Sequence, residues 1–288
     1  MFSDEALAPT LIERLTSQAR CEFVGHEGRR MCWRGFGTGS PLVLLHGGHG
    51  SWLHWVCNIE ALASHHTVWV PDLPGYGDAD EPLPGGGLPS LLEPTIATLN
   101  HVVGVDTPID LVGFSFGGLV AAHLAAQRPR VRRLALLGPG GHQTRRRPRG
   151  ELRSWKAAAQ SADPTALDEV MRHNLAMHML HTAAQEIDPL AVQIHTDACL
   201  HTRFRSKEIS QGGGLQEVLA QRQGPSLLVW GEHDVTADPE VIAPALAGSL
   251  TDGRACVIQG AGHWVQYERA EEVNALLLDW LSQPAHCP

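Results

Sequence analysis

The sequence has no apolar run near the roughly 18 residues that a membrane helix needs. Its longest stretches, such as 41–45 and 134–137, are only strand-sized, so no membrane partner is expected. Positive charge is also scarce: 22 Lys+Arg stand against 31 Asp+Glu, a net charge of −9, which leaves no surface-wide footprint for nucleic acid. The six cysteines (Cys21, Cys32, Cys57, Cys199, Cys256 and Cys287) contain no CxxC pair, and a chain of this length does not need disulfide staples. Reduced thiols, and with them a cytoplasmic location, are the expectation. The chain does not open with a basic flank followed by an apolar stretch; the first 15 residues are acidic at Asp4 and Glu5. A secretory signal is therefore not expected, and the mature chain is expected to begin here. No internal repeat is visible. Histidines are numerous, 17 in all, but most stand singly. His173, His178 and His181 would give one adjacent pair on a helix, too few ligands for a metal.

What is present is a chain of 288 residues, 43% hydrophobic and 18% charged, enough to bury a sizeable core. Apolar, β-branched runs of strand length recur at 42–45, 67–70, 109–112, 134–137, 227–230 and 255–258, separated by helix-length segments. Such continuous runs are buried on both faces, the mark of a mostly parallel sheet in an α/β fold. Ahead of them, 21–24 and 31–36 flank a segment containing Gly28 and predict an antiparallel edge hairpin. The strand rhythm stops between His142 and Arg222, where 166–180 and 189–200 read as helices. An insertion of this kind between two sheet strands predicts a helical cap. Its borders are loop-like, Gly138-Pro139-Gly140-Gly141 on one side and Gly212-Gly213-Gly214 with Gly224-Pro225 on the other. The expected division is a core in two parts, 1–141 and 223–288, with a cap at 142–222.

Gly113-Phe114-Ser115-Phe116-Gly117 follows one strand run and precedes a helix-forming stretch. A serine on a tight strand-to-helix turn has its hydroxyl thrust into the open, and small neighbours leave room for that turn. The hydroxyl becomes a nucleophile only beside a base, and the base needs a third group to fix its tautomer. Downstream, 227–230 ends in Gly231-Glu232-His233-Asp234 and 255–258 ends in Gln259-Gly260-Ala261-Gly262-His263. Strand ends on one edge of a parallel sheet converge, so Ser115, Asp234 and His263 are the expected catalytic triad. Glu232 is the rival acid, but the loop after Leu137 holds none, and His233 reads as a loop residue. The strand 42–45 runs into His46-Gly47-Gly48-His49-Gly50-Ser51. Backbone amides of Gly48 and Phe116 are the expected oxyanion donors, with His46 bracing the loop and Gly47 and His49 facing substrate.

Together these motifs resemble the α/β-hydrolase superfamily over nearly the whole chain. Val70-Pro71-Asp72-Leu73-Pro74-Gly75-Tyr76-Gly77 is similar to that family's DxPGxGxS loop, with Asp78 and Ala79 where a serine is usual. The resemblance implies an α/β-hydrolase fold and a serine hydrolase needing no cofactor and no metal. Epoxide hydrolases and haloalkane dehalogenases of the superfamily carry Asp at the position of Ser115, so those chemistries are disfavoured. The stretch from Gly262 to Glu268, GHWVQYE, resembles the meta-cleavage-product hydrolases, which cut a carbon-carbon bond in vinylogous diketo acids. His46 to Ser51 departs from their HGxGPG loop by lacking the proline. Ester or lactone hydrolysis therefore ranks first, carbon-carbon hydrolysis second and a non-catalytic ligand-binding relative third.

The expected partner is a small molecule, anionic or neutral, and self-association is compatible with the pattern. Arg203 and Arg205 are candidates for binding a substrate carboxylate, because a guanidinium fork matches its geometry. Arg145, Arg146, Arg147 and Arg149 form a basic run that reads either as a solvated loop or as a steering element. Trp264, beside the candidate base, is a candidate pocket wall, whereas Trp55 reads as core. His178, Met177 and Met179 are candidates for lining an adaptable apolar pocket.

Overall fold

The computed structural model describes residues 10–284. Cys287 and the acidic start at Asp4 and Glu5 lie outside the described residues. One sheet of eight strands runs through the molecule in the order β1-β2-β4-β3-β5-β6-β7-β8. The strands are β1 (Arg20–His26), β2 (Arg29–Phe36), β3 (Ser40–Leu45), β4 (His66–Pro71), β5 (Ile109–Phe114), β6 (Val131–Leu137), β7 (Ser226–Gly231) and β8 (Gly253–Ile258). β1 and β2 form the antiparallel hairpin that the sequence predicts, and β2 is antiparallel to β4; every later pairing is parallel. The hairpin turn places Glu27 and Gly28 at φ of 48° and 74°, as a two-residue turn with left-handed centres requires.

The parallel strands are buried on both faces, and alternate residues separate into two apolar layers. Leu42 and Leu44 of β3 pack into one, with Val112 and Phe114 of β5. Val43 and Leu45 pack into the other, with Leu111 and the helix Phe116–Gln127. β8 departs from the expectation of two buried faces: it is the edge strand, and Arg254 and Ala255 are exposed.

From β3 the chain steps outward to β4, then crosses back over β3 to reach β5. This reversal leaves the loops after β3 and β5 side by side at the carboxyl edge of the sheet, where a crevice forms in open α/β sheets. Between β6 and β7 lie the helices Trp155–Ala159, Ala166–His178, Pro189–Leu200, Lys207–Gly212 and Leu215–Leu219. The last of these buries Leu215, Val218 and Leu219 in the same layer as the helix after Ser115. Residues 143–154, which carry the arginine run, form no helix and are largely exposed. No helix among the described residues is long and apolar enough to cross a membrane.

Candidate active site

Ser115 sits between β5 and the helix Phe116–Gln127 with φ 54° and ψ −119°, a conformation that L residues adopt only at a cost of about 1–3 kcal/mol. The surroundings hold it there. Its amide donates to the Leu137 carbonyl at 2.9 Å, while its own carbonyl accepts from the amides of Gly118 and Gly140. The flanking glycines are required by backbone approach: a Cβ on Gly117 would stand 2.6 Å from the Leu45 carbonyl oxygen, and one on Gly113 would stand 2.7 Å from the Ala121 Cβ.

The Ser115 hydroxyl donates to His263 Nε2 at 2.9 Å, and His263 Nδ1 donates to Asp234 Oδ2 at 2.8 Å. Asp234 is fully buried and His263 nearly so. Burial alone would raise the Asp234 carboxyl. The His263 ring, together with the amide and hydroxyl of Thr236, outweighs it and holds the carboxyl below its usual range. Both Thr236 donors reach Asp234 Oδ1 at 2.7 Å. Glu232, the rival acid, is occupied elsewhere: it accepts from the Gly260 amide and pairs with His233.

The loop after β3 is locked from below. His46 is fully buried; its Nε2 accepts from the Leu73 amide at 3.0 Å while Nδ1 faces the Gly47 carbonyl at 2.8 Å. Gly47 does not line the cavity. Its amide donates to His54 Nδ1, and a Cβ there would press on Phe114 and Ser115 at 3.0–3.1 Å, so it permits close packing and does not face substrate. Gly48, His49 and Phe116 do line the cavity beside Ser115. Among the described residues the amides of Gly48 and Phe116 have no protein acceptor, which leaves them free to donate to a developing oxyanion.

The cavity over Ser115 has a volume of about 290 Å³, the scale of a small organic molecule. Its upper wall is histidine-rich. His178 of the helix Ala166–His178 has its ring 5.7 Å from that of His263. Burial, followed by the charges of His263 and Arg149, lowers its pKa to about 3. Burial likewise brings His142 and His195 down to about 4, so all three are neutral near pH 7. Met179 lines the cavity with His178, whereas Met177 stands against Gly150 instead.

Three sequence candidates lie elsewhere. Arg203 is held by Glu81 at 3.0 Å and by the His201 carbonyl, and it does not reach the cavity. Arg205 is exposed and also outside the lining. Both follow the helix Pro189–Leu200 on a turn whose backbone bonds to Gly75, and this turns their side chains away from Ser115. Trp264 is fully buried behind His263; its indole N–H donates to the His54 carbonyl at 3.1 Å and its ring stacks on Tyr267. Trp52 and Trp55 are core residues as well.

Arg146 and Arg149, read from the sequence as part of a solvated loop or of a steering element, line the cavity, while Arg147 is taken by Asp238. Thr236 and His195 were missed altogether. An Asp-x-Thr turn carries a readable signal, because a hydroxyl two residues on can donate back to the carboxylate; no pattern marked His195. In the GHWVQYE stretch the carboxylate of Glu268 accepts from the amides of Gly262, His181 and Thr182. It clamps the helical insertion to the loop bearing His263.

Residues 40–270 match the model of the alpha/beta hydrolase fold family. The chain belongs to the α/β-hydrolase family. This α/β-hydrolase is 31% identical over 275 residues to the dihydrolipoyllysine-residue acetyltransferase component of the acetoin cleaving system of Pseudomonas putida, covering 88% of this chain and 67% of that one. It is 28% identical to the 2-hydroxy-6-oxononadienedioate/2-hydroxy-6-oxononatrienedioate hydrolase of Paraburkholderia phymatum, covering 95% and 98% of the two chains. The enol-lactonase of Burkholderia xenovorans LB400 superposes with a TM-score of 0.72 at 21% identity, over 91% of this chain and 100% of that one, a likeness of fold. As a member of this family the chain is a hydrolase.

Proposed function

We propose that this α/β-hydrolase cleaves a small carboxylic ester or lactone through Ser115, His263 and Asp234. The observation that carries the reading is the continuous hydrogen-bonded line from Ser115 Oγ through His263 to the buried Asp234, opening into a cavity of small-molecule size. In the first half-reaction Ser115 Oγ forms a bond to the carbonyl carbon while its proton passes to His263 Nε2. Asp234 stabilises the resulting imidazolium, and the amides of Gly48 and Phe116 take the charge on the carbonyl oxygen. The carbon–oxygen bond to the leaving group then breaks, and the Nε2 proton goes to the departing oxygen. Water repeats the sequence in reverse: it gives a proton to His263, attacks the acyl carbon and releases the acid and Ser115. The balance is ester plus water to acid plus alcohol, with no cofactor. The helical segment 142–222 serves as the cap that closes the cavity, and the five described cysteines, all free thiols, accord with a cytoplasmic enzyme.

A second reading, hydrolysis of a carbon-carbon bond in a vinylogous diketo acid, is favoured by the relatives named for such substrates, among them the 2-hydroxymuconate semialdehyde hydrolase of Pseudomonas sp. strain CF600 at 26% identity. One panel separates the two: p-nitrophenyl acetate and butyrate, a γ-lactone and a 2-hydroxy-6-oxo-dienoate, each with the wild type and Ser115→Ala. Turnover of the esters or lactone that vanishes in Ser115→Ala is the expected result. Consumption of the dienoate alone reverses the order of the two readings. Absence of turnover on the whole panel supports a non-catalytic relative on the same fold.

A further inference from the structure

The cavity over Ser115 is cationic in a way that the chemistry of the triad does not require. Arg146, Arg149, Arg153 and Lys207 line it, and no Asp or Glu does. Among the described residues none of the four has a carboxylate within ion-pairing distance, whereas Arg147 and Arg203, close by in the fold, are held by Asp238 and Glu81. Like charges gathered without a counter-charge repel one another, and an anionic ligand removes that cost.

Two of the four stand on one side of Ser115. Arg147, between Arg146 and Arg149 in the chain, bonds to the Glu232 carbonyl and to Asp238, on either side of Asp234. Gly150, beside Arg149, packs on Met177, the neighbour of His178, whose ring lies 5.7 Å from that of His263; the charges of both arginines accordingly act on His178. The oxyanion donor Gly48 lies elsewhere, packed under Ser206 next to Lys207. In acyl transfer the leaving oxygen must face the base that returns its proton, so groups clustered around His263 contact the leaving part of the substrate. The neutral imidazoles of His142 and His178 add polar contacts there without adding charge.

We propose that Arg146 and Arg149 bind a carboxylate carried by the leaving group, so that the preferred substrate is an ester whose alcohol part is a hydroxy acid. This rests on the hydrolytic reading above. Both arginines line the cavity and are exposed to solvent, which suits a group that remains hydrated while the carbonyl reaches Ser115.

The test compares kcat/KM for acetoxyacetate, with the carboxylate on the leaving side, monoethyl succinate, with it on the acyl side, and neutral ethyl acetate. The wild type should prefer acetoxyacetate to ethyl acetate, and Arg146→Gln and Arg149→Gln should each reduce that ratio by about ten-fold, the worth of a charge-assisted hydrogen bond. Comparing ratios between wild type and variant cancels the intrinsic reactivity of the esters. The preference should also shrink as salt rises from low to near-molar, since the site is partly exposed. A ratio unchanged in both variants, or a preference for monoethyl succinate, overturns the proposal while leaving the hydrolytic reading intact. If neither these esters nor the ester and lactone substrates of the panel above turn over, the hydrolytic reading fails, and calorimetric binding of acetoxyacetate to Ser115→Ala decides the subsite. Binding that Arg146→Gln and Arg149→Gln weaken retains it, and binding that they leave unaltered removes it.

Discussion

Thr236 stands two residues beyond Asp234, and its amide and hydroxyl together saturate Asp234 Oδ1 while Oδ2 faces His263. A buried carboxylate without such donors would revert toward its neutral form and lose its hold on the imidazole. Thr236→Val keeps the side-chain shape and the amide but removes the hydroxyl. It should lower kcat/KM about ten-fold, the value of roughly 1.4 kcal/mol for one hydrogen bond to a charged group, and Thr236→Ser should recover most of the rate. A valine variant with wild-type rates would mean that the backbone amide alone secures Asp234. The same economy appears at His46 and His54, buried imidazoles that accept from the backbone amides of Leu73 and Gly47 and so fix the loop beside Ser115.

At the scale of the element, the turn after β5 functions because three pieces of backbone meet without side chains between them. Gly117 brings the first turn of the helix Phe116–Gln127 onto the carbonyls of Leu45 and His46 at the end of β3. This contact sets the distance between Ser115 and the amide of Gly48. Gly117→Ala places a methyl against rigid backbone, an overpacking that costs about 1–3 kcal/mol. The expected outcome is a lower urea midpoint with an unchanged slope, together with a fall in hydrolytic rate in the fraction that folds. Equal midpoints for variant and wild type would show that the helix can shift to accommodate the methyl.

For the whole molecule, the pKa shifts fix how stability depends on pH. His178, His142 and His195 carry folded-state values of about 3, about 4 and about 4, below the ordinary histidine value of about 6.5. Between those limits the unfolded chain takes up protons that the folded chain refuses, so stability falls as pH drops below about 6.5 and goes on falling to about 3–4. Asp234, held below its usual range, adds a further loss at the acid end, as pH falls from the ordinary carboxylate value through its folded one. Each histidine contributes on the order of 1–2 kcal/mol by pH 5. Denaturant midpoints measured from pH 7.5 to 5 should therefore decline, and His178→Phe, which removes one of the three, should flatten the decline. A slope identical in variant and wild type would remove His178 from the account.

Local patterning was sufficient for the architecture. Buried strand runs and glycine turns depend on short-range sterics and hydrophobicity, so the mixed sheet, its leading hairpin and the family were legible in the sequence. The serine turn and the strand-end positions of Asp234 and His263 were legible for the same reason, since a parallel sheet gathers its carboxyl ends whatever the loops contain. The direction of long side chains on the insertion was not. Arg203 and Arg146 look alike as sequence, and only the packing of the turn after Leu200 against Gly75, with Glu81 nearby, ties one down. Only the return of residues 143–154 over the sheet edge brings the other to His178 and His263. Trp264 shows the same limit, its neighbour on the chain entering the site while it turns into the core. The candidate triad positions follow from backbone topology, which sequence periodicity encodes; the lining of the cavity follows from contacts between segments far apart in the chain, which no local pattern carries.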